Sequence, residues 1–159
     1  MSSPEMITFR PAANADGEKI KEIVFGVLRE YGLTPEPGGT DIDLEDIEKN
    51  YIARGGLFEV LVDEQGNLLG TIGLYPLDAE TAELRKMYFL AELRGLGWGK
   101  KTMTRMIQRA RELGFTRIAL ETHSSLKEAI GLYKSFGFLP SCESKHSARC
   151  DQTFFLELD

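Results

Sequence analysis

One mixed α/β (α+β) domain around a single sheet is the architecture that the hydrophobic patterning dictates. Apolar residues recur at helical spacing early in the chain, switch to an alternating or continuous apolar pattern over residues 57–89, and then trade places segment by segment. The middle strands are separated by hairpin-type turns, so an antiparallel meander comes first. A βαβα piece follows it, and the order reads β-α-α-β-β-β-α-β-α-β. That order excludes a doubly wound nucleotide fold. At 159 residues the chain is one domain, 1–159, long enough to bury a core.

Each element has a local reason. "MITFR", residues 6–10, reads as a first strand, broken by Pro11. Ile20, Ile23, Val24, Val27, Leu28 and Tyr31 share one helical face, and Gly32 stops that helix. "TPEPGGTD" is a loop. An acidic helix from Asp43 to Ala53 turns Leu44, Ile47 and Tyr51 inward. "LFEVLVD" and "LLGTIGLY" are strands joined by "EQGN". "TAELRKMYF", residues 81–89, is the next strand; strict alternation puts Glu83, Arg85 and Met87 on one face and Leu84, Lys86 and Tyr88 on the other. A helix runs from Gly97 to Leu113, followed by the strand "RIALET", the helix "LKEAIGLYKSF" and the closing strand "TFFLEL". About four helices flank the sheet.

Composition narrows the function. Net charge is −6 and the pI about 5.1, opposite to a general nucleic-acid binder. No apolar run reaches membrane-helix length, and the first residues lack a signal-peptide pattern. Cys142 and Cys150 make no disulfide framework, and a cytoplasmic, reduced protein is expected. Charge is uneven: residues 36–64 hold nine acids against Lys49 and Arg54, while residues 94–117 hold seven bases against Glu112. The basic segment suits an anion. Cys142, His146 and Cys150 form C-x3-H-x3-C, but a structural zinc site takes four ligands and no fourth is evident, so no metal is expected.

The segment "RGLGWGKK" sits where a strand ends and a helix begins. Free N–H groups and the helix dipole gather there, and glycines admit a close ligand, so phosphate fits. Arg94 stands where a Walker A loop needs its first glycine, and Lys101 where it needs Ser or Thr. The spacing G-x-G-x-G also fails the dinucleotide fingerprint. The pattern [RQ]-x-x-G-x-[GA] is met in full by Arg94, Gly97 and Gly99.

With that loop, the stretch from Ala82 to Leu139 resembles the GNAT superfamily, the GCN5-related N-acetyltransferases. "AIGLYKSFGF" resembles a second motif of the family, carried here by Ala129, Leu132, Tyr133, Gly137 and Phe138. The resemblance implies a mostly antiparallel sheet splayed at the cofactor site. It implies a cofactor-binding core over about residues 82–139 and an acceptor-shaping region over about 14–56. Acetyl-CoA is the implied cosubstrate. Its pyrophosphate would lie on the N–H groups of Arg94, Gly95, Leu96, Gly97, Trp98, Gly99 and Lys100. Lys101 and Arg105 would reach the outer phosphates. The pantetheine arm would pair with the edge formed by Met87, Tyr88 and Phe89, and the Met87 N–H would polarise the acetyl carbonyl. Leu126 stands where many relatives carry an Asn that contacts the arm; Ser124, Ser125 and His123 are possible stand-ins.

The implied reaction is direct attack of an amine on the thioester. Tyr133 matches the family's acid near the sulfur, and Glu83 its base; Glu121 and His123 compete as bases. Tyr31, Tyr75, Glu121 and His123 would line the acceptor site, with Tyr51 also near it. The acidic stretch from Glu36 to Glu48 would draw a small cationic amine. A protein lysine or N-terminus, a non-catalytic acyl-CoA sensor and a nucleotide module are the alternatives. Monomer and homodimer both stay open; no nucleic acid or membrane partner is expected.

Overall fold

The structure is a computed structural model that describes residues 6–141 and 150–159. Its elements are β1 (Thr8–Pro11), α1 (Gly17–Glu30), β2 (Leu57–Val62), β3 (Leu68–Pro76), β4 (Thr81–Phe89), α2 (Trp98–Glu112), β5 (Arg117–Thr122), α3 (Lys127–Ser135), β6 (Leu139–Pro140) and β7 (Gln152–Glu157). They build one seven-stranded sheet in the order β1-β2-β3-β4-β5-β7-β6. Every pairing is antiparallel except β4 with β5. The mixed α/β architecture and its meander-first order hold, with β6 added. Among the described residues no helix is long and apolar enough to cross a membrane.

The expected second helix, Asp43 to Ala53, is instead two short turns, Ile42–Glu45 and Glu48–Ile52. Asp46 leaves helical geometry between them, at φ −146° and ψ 84°. Its carboxylate accepts the Lys49 N–H at 3.0 Å, so the side chain caps the next turn rather than continuing the first. Leu44, Ile47 and Tyr51 are still buried.

Two cores cover opposite faces of the sheet. On one face α1 and the two turns close over Phe58 and Val60, with Tyr51 inserted. On the other, Met103, Met106 and Ala110 of α2 and Tyr133 of α3 pack on Ile72, Leu84, Ile118 and Leu120. Gly73 is needed on the first face: a Cβ there would sit 2.8 Å from the Tyr51 ring.

β4 is where strict alternation fails. Thr71 pairs with Tyr88, yet Gly73 pairs with Arg85, so β4 carries one extra residue. Lys86 lies in this bulge with φ 57°. Arg85 and Lys86 consequently both point to the α1 face, and Tyr88 follows them. Met87 joins Leu84 on the α2 face. The Lys86 carbonyl is satisfied by the buried Thr71 hydroxyl, which donates to it at 2.6 Å.

Candidate active site

β4 and β5 pair only from Thr81–Arg117 to Glu83–Ala119. Beyond that point β4 stays with β3 as far as Phe89, and β5 stays with β7 as far as Thr122. The strands part because the bulge bends β4 away, and a cleft of about 440 Å³ opens between them. Leu84 to Phe89 line one wall, Glu121 to His123 the other, and the start of α2 closes the end with Gly95, Gly97, Trp98 and Gly99. α3 contributes Glu128, Ala129, Leu132 and Tyr133.

The glycine turn is built for free amides. Gly95 has φ 76° and Gly97 has φ 86°, left-handed values that favour glycine, and a Cβ at either would meet nothing within 4 Å. Their requirement is therefore conformational. Gly99 differs: a Cβ there would stand 3.2 Å from Leu132 Cδ2, so it lets α2 approach α3. The amides of Gly95 to Lys100 have no acceptor among the described residues. Arg94 departs from expectation, since its N–H donates to Ala91 O at 3.1 Å and the run of available donors starts at Gly95. Its guanidinium is also engaged, gripping Glu30 at 2.6 Å and 3.2 Å and the Phe89 carbonyl at 2.9 Å. Arg94 thus ties the end of β4 to the last turn of α1.

Among the other expected anion-site residues, Leu96, Lys100 and Lys101 do not line the cleft. The Lys101 ammonium lies 4.5 Å from the Trp98 ring centroid. Arg105 is committed elsewhere, to Glu59 on β2, through bonds of 2.7 Å and 2.9 Å.

Tyr133 reaches the cleft from the opposite face. It is buried among Phe138 and Phe154, and its hydroxyl has no hydrogen-bond partner among the described residues. Burial, with a smaller contribution from Cys150, pushes its pKa up to about 12. Cys150, read from the sequence as lying outside the matched core, lines the same cleft. Cys142 and His146 lie outside the described residues.

Glu83 is buried and lines the cleft, with Arg85 Nε donating to its carboxylate. Arg85 stacks 3.7 Å above the Tyr75 ring and stands 4.0 Å from Asp43. Lys86 binds Asp41 at 2.9 Å and Asp43 at 3.4 Å. Tyr51 donates to Asp43; burial first, then that carboxylate, raises its pKa well above the usual range. Tyr75 sits under Arg85 outside the cleft, whereas Tyr31 lines it.

His123 and Glu121 also line the cleft. His123 Nδ1 accepts the Ser125 N–H at 3.0 Å, which leaves the neutral ring's proton on Nε2, 3.8 Å from Asp151. Nδ1 is therefore engaged, while Nε2 lies beyond hydrogen-bond distance of Asp151. Leu126 caps α3 and lines the cleft with an apolar surface. Sequence reasoning missed the inward pair Arg85 and Lys86. An alternating count cannot reveal a bulge, which the register shift against β3 and the positive φ at Lys86 mark.

Three comparisons bear on this arrangement. The model of the acetyltransferase (GNAT) family matches residues 25–138. The uncharacterized N-acetyltransferase YjgM of Escherichia coli (strain K12) is 38% identical over 141 residues, 86% of this chain and 84% of that protein. An acetyltransferase of the GNAT family from Staphylococcus aureus Mu50 superposes with a TM-score of 0.87 at 25% identity, covering 96% of this chain and 99% of that one. The yncA acetyltransferase of Salmonella typhimurium, solved with its cofactor acetyl-CoA, shares the fold with a TM-score of 0.73 at 24% identity, covering 97% and 95%. Loop, splayed strands and relatives agree: this chain belongs to the GNAT family of N-acetyltransferases and is an acyltransferase.

Proposed function

We propose that the protein transfers an acetyl group from acetyl-CoA to a small primary amine by direct attack within a ternary complex. One observation carries the reading. Amides at the start of α2 that have no partner among the described residues, those of Gly95, Gly97, Trp98 and Gly99 among them, stand at a cleft that also holds a buried carboxylate, Glu83, and Tyr133, whose hydroxyl has no partner among the described residues. The amides of Gly95 to Lys100 suit a pyrophosphate. Past Glu83 β4 no longer pairs with β5, an edge that suits the amides of a pantetheine arm at Met87, Tyr88 and Phe89, although the Phe89 carbonyl is held by Arg94. Leu126 gives the arm an apolar wall.

In this reading Glu83 takes a proton from the ammonium form of the acceptor, which frees the nitrogen lone pair. Arg85 holds that carboxylate in place. A C–N bond forms as the C–S bond breaks, negative charge moves onto sulfur, and the new amide nitrogen sheds its remaining extra proton to solvent. Tyr133 meets that charge as a hydrogen-bond donor. With its pKa at about 12, it is a weaker acid than an ordinary thiol at about 8.5. Complete proton transfer to a thiolate would be uphill by about 5 kcal/mol, whereas a hydrogen bond carries no such cost. The proton that ends on the thiol comes from solvent.

The acceptor is a small cationic amine. Among the described residues the carboxylates that face the cleft are Glu83, Glu121 and Glu128. The acids at residues 41–48 support this less than their number suggests: Asp41 and Asp43 bind Lys86, Glu45 binds Lys21, and Asp46 and Glu48 bind Asn14. The test is calorimetry with CoA, ATP and NAD, followed by thiol release from acetyl-CoA across a panel of amines. CoA alone should bind, and one amine class should release thiol. Binding of ATP or NAD in place of CoA would overturn the reading.

A further inference from the structure

The strand registers align one residue from each of five strands into a single row. Tyr75 pairs with Glu83, Glu83 with Ala119, Ala119 with Phe155, and Phe155 with Leu139. Directly paired residues share a face, so all five side chains stand on the face that α1 covers at its β2–β4 end. Ala119 is the smallest of them. A second cavity of about 150 Å³ lies over it, walled by Phe155, Leu77, Glu83 and Glu121 and reaching Asp78 and Arg117. Glu83 and Glu121 also line the main cleft, so the two spaces meet at those carboxylates.

We propose that this hollow over Ala119 is the subsite for the acceptor's non-reacting part, and that it takes a short alkyl chain with a neutral or cationic end. The inference rests on the acetyl-transfer reading above. If the thioester arrives along β4 from the glycine turn, the amine must reach Glu83 from elsewhere, and the hollow is the second space that touches Glu83. Its walls set the chemistry. Phe155 is half-buried and Leu77 exposed, which suits hydrocarbon. Glu83 and Glu121 stand at the inner end and Asp78 at the outer end. Asp78 accepts the N–H groups of Glu80 and Thr81 at 2.8 Å and 2.7 Å, which hold it as a carboxylate. Arg117, the cation of the lining among the described residues, is already bound to Glu157 at 2.5 Å. An anionic tail would therefore meet carboxylates at both ends, with the Arg117 guanidinium at the outer end already paired with Glu157 and stacked on Phe155. Ala119 sets the depth: any larger side chain there fills the floor.

The test uses three amines of equal chain length: butylamine, 1,4-diaminobutane and 4-aminobutyrate. Acetyl-CoA affinity is measured first, by calorimetry. The wild type should acetylate the first two with kcat/KM at least tenfold above the third. Ala119→Leu should raise KM for the first two by tenfold or more and leave acetyl-CoA affinity within twofold. If the Leu variant unfolds, Ala119→Val, compatible with a strand, should give a smaller rise in the same direction. A preference for 4-aminobutyrate, or an unchanged KM in both variants, overturns the subsite. So does failure of all three amines while acetyl-CoA binds, which leaves the cofactor reading standing. Failure to bind acetyl-CoA removes the parent reading instead.

Discussion

Gly97→Ala is the sharpest test of the glycine turn, because its cost can be worked out before it is made. Gly97 has φ 86°, and a Cβ there meets nothing within 4 Å, so the penalty is conformational alone. For an L-residue in the left-handed region it is about 1–2 kcal/mol. The strain has two outlets. If the loop keeps its shape, the free enzyme loses about 1–2 kcal/mol of stability and acetyl-CoA affinity holds. If the loop relaxes, free-enzyme stability holds and binding must restore the strained shape, weakening affinity by about 5–30-fold. The sum of the two losses is fixed, provided the complex needs the left-handed residue. The assay is therefore denaturant unfolding of the free enzyme together with calorimetric acetyl-CoA affinity on the same variant. Gly26→Ala, inside α1 with nothing within 4 Å of the added carbon, is the control. It should stabilise by up to about 1 kcal/mol and leave affinity alone. A combined loss below about 0.5 kcal/mol for Gly97→Ala, well under the strain cost, would mean that the complex does not use this turn.

Three further outcomes are expected. The Tyr133 hydroxyl, raised to about 12, keeps its proton in the fold after the unfolded chain has lost it near 10. Tyr133 should account for about 2–3 kcal/mol of the stability lost as pH rises from about 10 to about 12. Tyr133→Phe should lack that share, leaving the loss that Tyr51 causes, when unfolding is followed across the window, and should lower kcat at neutral pH with CoA affinity retained. Lys86→Met strands two carboxylates whose side chains are 0% and 6% exposed, and unfolding should show a loss of about 3–5 kcal/mol. Adding Asp41→Asn and Asp43→Asn should recover part of it; no recovery would mean that Lys86 acts through its backbone. Glu83→Gln should cut kcat/KM by about 10²–10⁴-fold and Glu121→Gln by less. The reverse order would move the base to β5.

What the sequence disclosed divides along a physical line. Gly95, Gly97 and Gly99 stood out because glycine at a strand-to-helix junction has few explanations, and the two motifs carried Tyr133 to its cleft. Helical faces read well because a 3.6-residue period repeats over several turns: Ile20, Ile23, Val24, Val27 and Leu28 are all buried. β4 read poorly past Arg85 because the bulge is a single event with no period to betray it. Asp46 misled for a similar reason. Its carboxylate competes with the backbone for the Lys49 N–H, and propensity summed over a window hides a choice made at one bond. Arg94 matched its motif letter by letter, yet its own amide is spent on Ala91, a fact held in backbone geometry rather than residue type. The hollow over Ala119 was equally invisible, since it depends on which residues of four other strands face that alanine.

The bulge in β4 also explains why the acidic loop exists. With strict alternation, Lys86 would point into the face packed by α2 and α3, among Met103, Met106 and Ile118, where an ammonium would have no counter-charge. The extra residue turns it toward α1, and Met87 takes the apolar side instead. On the α1 face Lys86 is still nearly dry, with 5% of its side chain exposed, so its charge requires buried partners there. Asp41 and Asp43 supply them from the loop after α1, and Asp41 also accepts the Glu36 N–H at 2.8 Å, which fixes the loop to itself. The bulge that splays the strands to make the cleft thus creates the cation that binds the loop beside it. Those acids serve Lys86, and in the proposed reading recognition of the amine falls to Glu83 and Glu121, the carboxylates shared by the cleft and the hollow beside it.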